Sequence, residues 1–292
     1  MIEADIYNEK ELLKENPLKK WGKFIKLDGF ETFIVEMGQG ENIIFANGIA
    51  ASVYTWRKVL PKLGEKYHVY GFDFKGTGFS EKPEIEYSID VFSKQVLELM
   101  DYFKMEKAIL VGNSLGGEVV MDFTIKYSQR VKALVLMDTA GYQNNKEITG
   151  LLSKLSRYKP VAKFLKKIAS KKLARKIIDW ATYNETIIDK EMVDGYYKPM
   201  KTEGAFESLI KLVRNLSYTE FDYNKVKEIK VPTLIIWGTE DKWMPVSDAH
   251  RFHKDIKNSK LVLMTSCGHA PQEEMPEKVI DEITKFIDED IK

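Results

Sequence analysis

The chain has 292 residues, 44% of them hydrophobic, and a formal net charge of +1. That length and apolar content suit one sizeable core with room for a modest insertion, and the balanced charge excludes whole-molecule attraction to nucleic acid. The single cysteine, Cys267, excludes an internal disulfide and fits a reducing compartment, so a cytoplasmic location is expected.

No run of about 18 apolar residues is present, so no membrane span is expected. Residues 1–20 read as a polar, lysine-rich lead-in with one helical turn around Glu9–Glu15, without the apolar stretch of a secretory signal. Lys23–Leu27 and Glu31–Glu36 alternate apolar and polar residues about Asp28-Gly29, which predicts a β-hairpin. Asn42–Ala46 is a short apolar run of the kind buried on both faces. Trp56, Val59, Leu60 and Leu63 follow at helical spacing. His68–Asp73 is another strand, closed by the glycine-rich turn Lys75–Ser80, and Tyr87–Phe103 has a helical period.

The next stretch organises the rest. Ala108-Ile109-Leu110-Val111 is a buried strand, Gly112-Asn113-Ser114-Leu115-Gly116 matches Gly-x-Ser-x-Gly, and a helical pattern follows. That context marks a nucleophile elbow, with small residues where chain segments must approach closely. Ala133–Met137 is a further strand, ending in Asp138. From about Gln143 to Phe221 only helical pattern is found, with Ser170 as an N-cap for a helix carrying Leu173, Ile177, Trp180 and Ala181 on one face. Strands resume at Thr233–Trp237 and Leu261–Met264, before a final helix Pro276–Ile287. Strands that alternate with helices and are apolar throughout imply an α/β fold: a mostly parallel sheet covered on both faces. The expected division is a core in two parts, 1–142 and 221–292, interrupted by a helical cap, 143–220.

A serine nucleophile needs a base, and the base needs an orienting group. Of the four histidines, His68 opens a strand and His250 and His253 lie in a charged helix. His269 follows the last strand in a short loop, and loops at the carboxyl ends of parallel strands gather at one edge, where ligands bind. His269 is therefore the expected base. Asp241, just past Thr233–Trp237, and Asp138 both suit the acid by edge and chain order, with Glu240 a weaker rival.

The chain resembles the α/β-hydrolase fold superfamily, in its lidded, esterase-like branch, from about residue 22 to 288. The resemblance rests on Asn47-Gly48, the segment Gly71–Ser80, Gly112–Gly117, Gly238-Thr239-Glu240-Asp241 and Gly268-His269-Ala270, in that order. It implies Asp241 as the acid, and an oxyanion hole from the backbone N–H groups of Leu115 and Ile49. Asn47 and Lys75 stand where the family usually has His and Arg.

The expected function is a serine hydrolase cleaving a carboxylic ester of a small-molecule substrate. Ser114 would be the nucleophile, His269 the base and Asp241 the acid, with no cofactor and no metal. Alternatives are a hydrolase of carbon–carbon bonds in ring-fission products, a perhydrolase, and a non-catalytic ligand receptor. Carbon–carbon hydrolases tend to be richer in glycine than Asn47–Ser52, and a dehalogenase or epoxide hydrolase would carry a carboxylate in place of Ser114. Asn47, Gly48, Tyr142, Trp180, Trp243 and Met244 are expected around the substrate pocket. Within the cap, Leu151, Leu152, Leu155, Phe164, Leu165 and Ile168 supply apolar positions. Lys154–Lys176 carries ten basic and no acidic residues, which reads first as a solvated face and second as a contact for an anionic surface or substrate.

Overall fold

The structure is a computed structural model; it describes residues 6–142, 168–216 and 221–291. Eight strands form one sheet: β1 (Gly22–Leu27), β2 (Phe30–Met37), β3 (Asn42–Ala46), β4 (His68–Phe72), β5 (Ala108–Asn113), β6 (Val131–Met137), β7 (Thr233–Gly238) and β8 (Ser259–Met264). Their spatial order is β1-β2-β4-β3-β5-β6-β7-β8. The first two pairings, β1 with β2 and β2 with β4, are antiparallel. All later ones are parallel.

The β1–β2 hairpin turns on Asp28 and Gly29 with φ of 48° and 81°. Two successive left-handed residues match the right-handed twist of the flanking strands, which is why Asp-Gly signals this turn. Every residue of β5 and β7 is buried. The sheet is covered on both sides. One core gathers Phe92, Val96, Val119, Phe123 and Phe252; the other gathers Trp56, Leu60, Val279, Ile283 and Phe286. Buried two-sided strands force long apolar runs, and this is what made them visible in the sequence.

Between β6 and β7 the described residues form three α-helices, Lys171–Ala181, Lys190–Tyr197 and Ala205–Leu216, joined by 3-10 turns. Ser170 caps the first by accepting the Leu173 N–H, as its sequence position predicts. Of the apolar residues expected in this segment, Leu151 to Leu165 lie outside the described residues. So does the basic stretch from Lys154 to Lys167. In the described remainder Lys171 pairs with Asp194, and Arg175 donates to the Ile188 carbonyl at 2.9 Å. Among the described residues no helix is long and apolar enough to cross a membrane.

Candidate active site

Ser114 directly follows β5 and caps the helix Leu115–Lys126, with φ 55° and ψ −122°. A serine holds that left-handed backbone only where its surroundings over-determine it. Here the Ser114 N–H donates to Met137 of β6 at 3.0 Å, and its carbonyl accepts from Gly117 at 3.0 Å and Ala140 at 3.1 Å. The turn is also crowded. A Cβ on Gly112 would lie 2.4 Å from the Gly116 carbonyl oxygen, and one on Gly116 would lie 2.3 Å from that of Ala46. Neither position accepts a side chain, so the two glycines of the motif are steric requirements. Leu115 is the first residue of the helix, where backbone donors have no intrahelical acceptor. Among the described residues neither Leu115 N–H nor Ile49 N–H is paired. Ile49 borders the cavity that holds Ser114.

His269 follows β8, and its backbone N–H donates to Ala181, the last residue of a helix in the inserted segment, at 2.7 Å. Its Nδ1 lies 2.7 Å from Asp241 Oδ2. With Nδ1–H given to the carboxylate, Nε2 is left with a lone pair to take a proton. Asp241 is itself fixed: its Oδ1 accepts the Trp243 N–H at 2.7 Å and the Met244 N–H at 3.0 Å. His269 and Ser114 line the same cavity of about 300 Å³. A serine, an imidazole and a carboxylate so disposed can support acyl transfer.

Asp138 does not face His269 in this way. It ends β6 and takes the Gly238 N–H on Oδ1 at 2.9 Å. One donor atom each of Asp138, Asp241 and His269 lies within 4.8 Å of the others. Such a trio could hold a cation, but Asp241 and His269 already satisfy one another, and a metal would have to break that bond. Glu240 uses its carboxylate on the neighbouring Thr239 hydroxyl at 3.2 Å.

The other expected pocket residues divide. Gly48 and Trp243 line the cavity. Trp243 stacks on His269, with ring centroids 5.3 Å apart and planes inclined by 19°. Trp180 is not among the lining residues; its exposed ring meets Trp243 at 5.6 Å. Asn47, Tyr142 and Met244 require correction. Asn47 turns away to donate to the Phe72 carbonyl at 2.7 Å and accept from Trp56 Nε1 at 2.8 Å, so it braces the turn that carries Gly48 and Ile49. Tyr142 is drawn under the helix Val246–Asp255, packing on Tyr223 and Phe252 and donating its hydroxyl to Asp255 at 2.9 Å. Met244 lends its carbonyl to Trp237 Nε1 at 3.0 Å and packs on the core. Lys75 is buried against Glu98 at 3.2 Å and Asp28 at 3.6 Å. Cys267 is buried with its thiol pushed far up by burial, first of all, and by nearby carboxylates, which makes it a poor nucleophile.

A polar chain beside Ser114 is not evident from the sequence. Asn113 Nδ2 donates to Met137 at 3.1 Å and to His269 at 3.2 Å, both carbonyls. That fixes Asn113 Oδ1 as the acceptor for Gln272 Nε2 at 3.1 Å. Gln272 Nε2 also donates to Thr55 Oγ1 at 3.1 Å. The Thr55 hydroxyl then donates to Tyr196 at 2.7 Å, and Tyr196 to Glu273 at 3.0 Å. Glu273 is held by Arg57, and by Lys58 at 3.3 Å. Burial pushes the Tyr196 hydroxyl well above its usual range, so it stays a donor. A second opening of about 510 Å³, between Glu15 and Lys198, contains none of the expected site residues.

A family model described as alpha/beta hydrolase fold matches residues 41–276. The chain belongs to that family. An uncharacterised hydrolase of Bacillus subtilis is 28% identical over 248 residues, covering 85% of this chain and 90% of the relative. A 2-hydroxy-6-oxo-2,4-heptadienoate hydrolase of Pseudomonas putida is 27% identical over 278 residues, covering 91% of this chain and 96% of its own. A meta-cleavage product hydrolase from Pseudomonas fluorescens, complexed with acetates, superposes with a TM-score of 0.80 at 27% identity, covering 92% of this chain and 98% of that one.

Proposed function

We propose that this α/β-hydrolase cleaves a carbon–carbon bond beside a ketone in a ring-fission product of the 2-hydroxy-6-oxo-dienoate type. The observation that carries this reading is near-full-length similarity to two hydrolases, one named for 2-hydroxy-6-oxo-2,4-heptadienoate and the other for a meta-cleavage product. The geometry supports the chemistry. Ser114 adds to the ketone carbonyl while His269 Nε2 takes its proton, and Asp241 holds the imidazole in the required tautomer. The backbone N–H groups of Leu115 and Ile49 stabilise the tetrahedral oxyanion. Collapse breaks the carbon–carbon bond. This requires the substrate to be ketonised first to its 2,6-dioxo-enoate form, so that the departing carbon is sp3. Its electron pair then delocalises through the enone into the 2-oxo group as a dienolate, which takes a proton from His269. Water, activated by His269, then hydrolyses the acyl-serine. The sum is one ketone plus one water giving one carboxylic acid and one C–H bond. The described residues 168–216 line the cavity through Leu173, Ile177, Met192 and Phe206 and serve as a cap over the substrate.

The second reading is hydrolysis of a carboxylic ester by the same steps, with an alcohol leaving. It is favoured by the glycine-poor segment Asn47–Ser52 and by a cavity lined largely by side chains such as Leu173, Ile177, Phe206 and Leu209.

Incubation with 2-hydroxy-6-oxo-2,4-heptadienoate, alongside p-nitrophenyl esters of increasing chain length, separates the two. Loss of the dienoate chromophore with release of acetate, abolished in Ser114→Ala, is the expected result. Turnover of esters with an untouched dienoate would replace the first reading by the second.

A further inference from the structure

The carboxyl groups of Asp138 and Asp241 approach one another behind His269 because their strands do. β6 and β7 are parallel neighbours, paired Met137 to Ile236. Asp138 follows β6 directly, and Asp241 lies three residues past the end of β7. Asp138 is completely buried. Its Oδ1 is accounted for by the Gly238 N–H at 2.9 Å. Its Oδ2 is also buried and receives no N–H or O–H from the described residues. The charged and titratable groups facing it are Asp241, on the loop after β7, His269 and Cys267, on the loop after β8, and Glu274, on the short helix beyond. Glu274 is occupied by three backbone donors, Gly268 at 2.8 Å, Tyr183 at 2.8 Å and Asn184 at 3.0 Å. Two buried carboxylates side by side cannot both ionise cheaply, so the pair calls for one positive charge between them.

We propose that this charge is a proton: Asp138 stands as a neutral carboxylic acid, donates from Oδ2 to Asp241, and leaves Asp241 alone to carry the negative charge that faces His269. Asp138 is then a positioning residue. It fixes one face of the Asp241 carboxylate while the Trp243 and Met244 N–H groups fix another. Burial, first of all, and the Asp241 charge hold the Asp138 carboxyl well above its ordinary range. The arrangement also provides a reserve. When Asp241 is neutralised, Asp138 is free to ionise beside the same imidazole.

The inference rests on Asp241 and His269 acting as the acid–base pair, so its decisive test does not read activity. Infrared spectra of the wild-type protein at pH 8, with and without carboxyl-labelled aspartate, should contain a protonated carboxylic acid carbonyl stretch that moves with the label. Asp73, another buried aspartate with a raised pKa, is pushed only to about 6 and is ionised there. The band should vanish in Asp138→Asn. Its absence from the wild-type, or its survival in Asp138→Asn, overturns the proposal.

Kinetics supply the second arm. Asn can accept from Gly238 and donate to Asp241 as the neutral acid does. Asp138→Asn should therefore leave the acid limb of the pH–rate profile in place, whereas Asp138→Leu, which cannot donate, should lower kcat. A downward shift of that limb by about one unit in Asp138→Asn would mean that a charge had been removed, against the proposal. Asp241→Asn should lose about 10²–10³-fold, and Asp241→Asn combined with Asp138→Asn about 10⁴-fold, the loss expected when no carboxylate orients the imidazole. Equal losses in the single and double variants deny the reserve role. Activity lost on dialysis against EDTA and restored by a divalent cation would put a metal ion, not a proton, between the carboxylates.

Discussion

Asp241 meets His269 through one carboxylate oxygen, 2.7 Å from Nδ1, and spends the other on the backbone N–H groups of Trp243 and Met244. The loop that presents the acid is thus folded by the acid. His269 is held independently, through its own N–H on Ala181 and its carbonyl on Asn113. Groups that act as a unit give non-additive losses. Ser114→Ala, His269→Ala and the double variant should each reduce kcat by a similar amount, on the order of 10⁴–10⁶. Steady-state kinetics on whichever substrate is turned over checks this. A double variant much slower than either single one would mean that the two residues do not act together.

Trp243 lines the cavity, and Trp180, which does not, meets Trp243 ring to ring. Trp243 is placed by the Asp241 turn and stacks on His269, while Trp180 comes from the inserted segment and is 57% exposed. An exposed ring contributes little to folding but can close over a substrate. An aromatic contact of 0.5–1.5 kcal/mol corresponds to roughly 2–12-fold. Trp180→Ala should raise KM by about that factor, with kcat and thermal stability nearly unchanged. A kcat effect without a KM effect would place Trp180 in the chemistry instead of in substrate binding.

How much of this could be read from the residues follows from where each signal lies. The β5 strand and the elbow were legible because burial on both faces demands an unbroken apolar run, and crowding demands Gly112 and Gly116. His269 was legible because the edge of a parallel sheet is set by topology alone. Edge and chain order left Asp241 and Asp138 level, since both follow strands on that edge; the family resemblance implied Asp241, and it is Asp241 that meets Nδ1. Tyr142 and Met244 misled because proximity in sequence to a catalytic loop says nothing about which way a side chain turns. The chain from Asn113 through Gln272, Thr55 and Tyr196 joins segments more than 140 residues apart, and no local pattern encodes it.

Glu118 sits in the first turns of the elbow helix, almost wholly buried, with the Tyr223 hydroxyl donating to it at 3.3 Å. Burial raises its carboxyl from 4.5 to about 7. A carboxyl raised on folding stabilises the fold below its unfolded pKa, and that contribution is lost as pH climbs through the folded value. Stability should therefore fall between about pH 4.5 and 7, by on the order of 2–3 kcal/mol from this group. Asp73, raised to about 6, adds to the same trend. Glu118→Gln should flatten the dependence and be more stable than wild type at pH 8. Denaturant midpoints at pH 5 and pH 8 for both proteins provide the comparison, and identical slopes would assign the trend to other groups.

Tyr196 carries the polar chain from the inserted segment into the core. Its hydroxyl accepts from Thr55 and donates to Glu273, whose charge is shared with Arg57 and Lys58. Tyr196→Phe removes one oxygen, leaving the buried Thr55 hydroxyl without its acceptor and the Glu273 carboxylate short of one donor. The cost of stranding a buried polar group is about 1–3 kcal/mol, which equilibrium unfolding can resolve. The catalytic effect should be smaller and indirect. Gln272 can no longer rely on a fixed Thr55, and Asn113, its other partner, adjoins Ser114 and holds the His269 carbonyl. A modest fall in kcat with KM retained is expected. Loss of stability without any change in kcat would show that the chain braces the fold and does not reach the nucleophile.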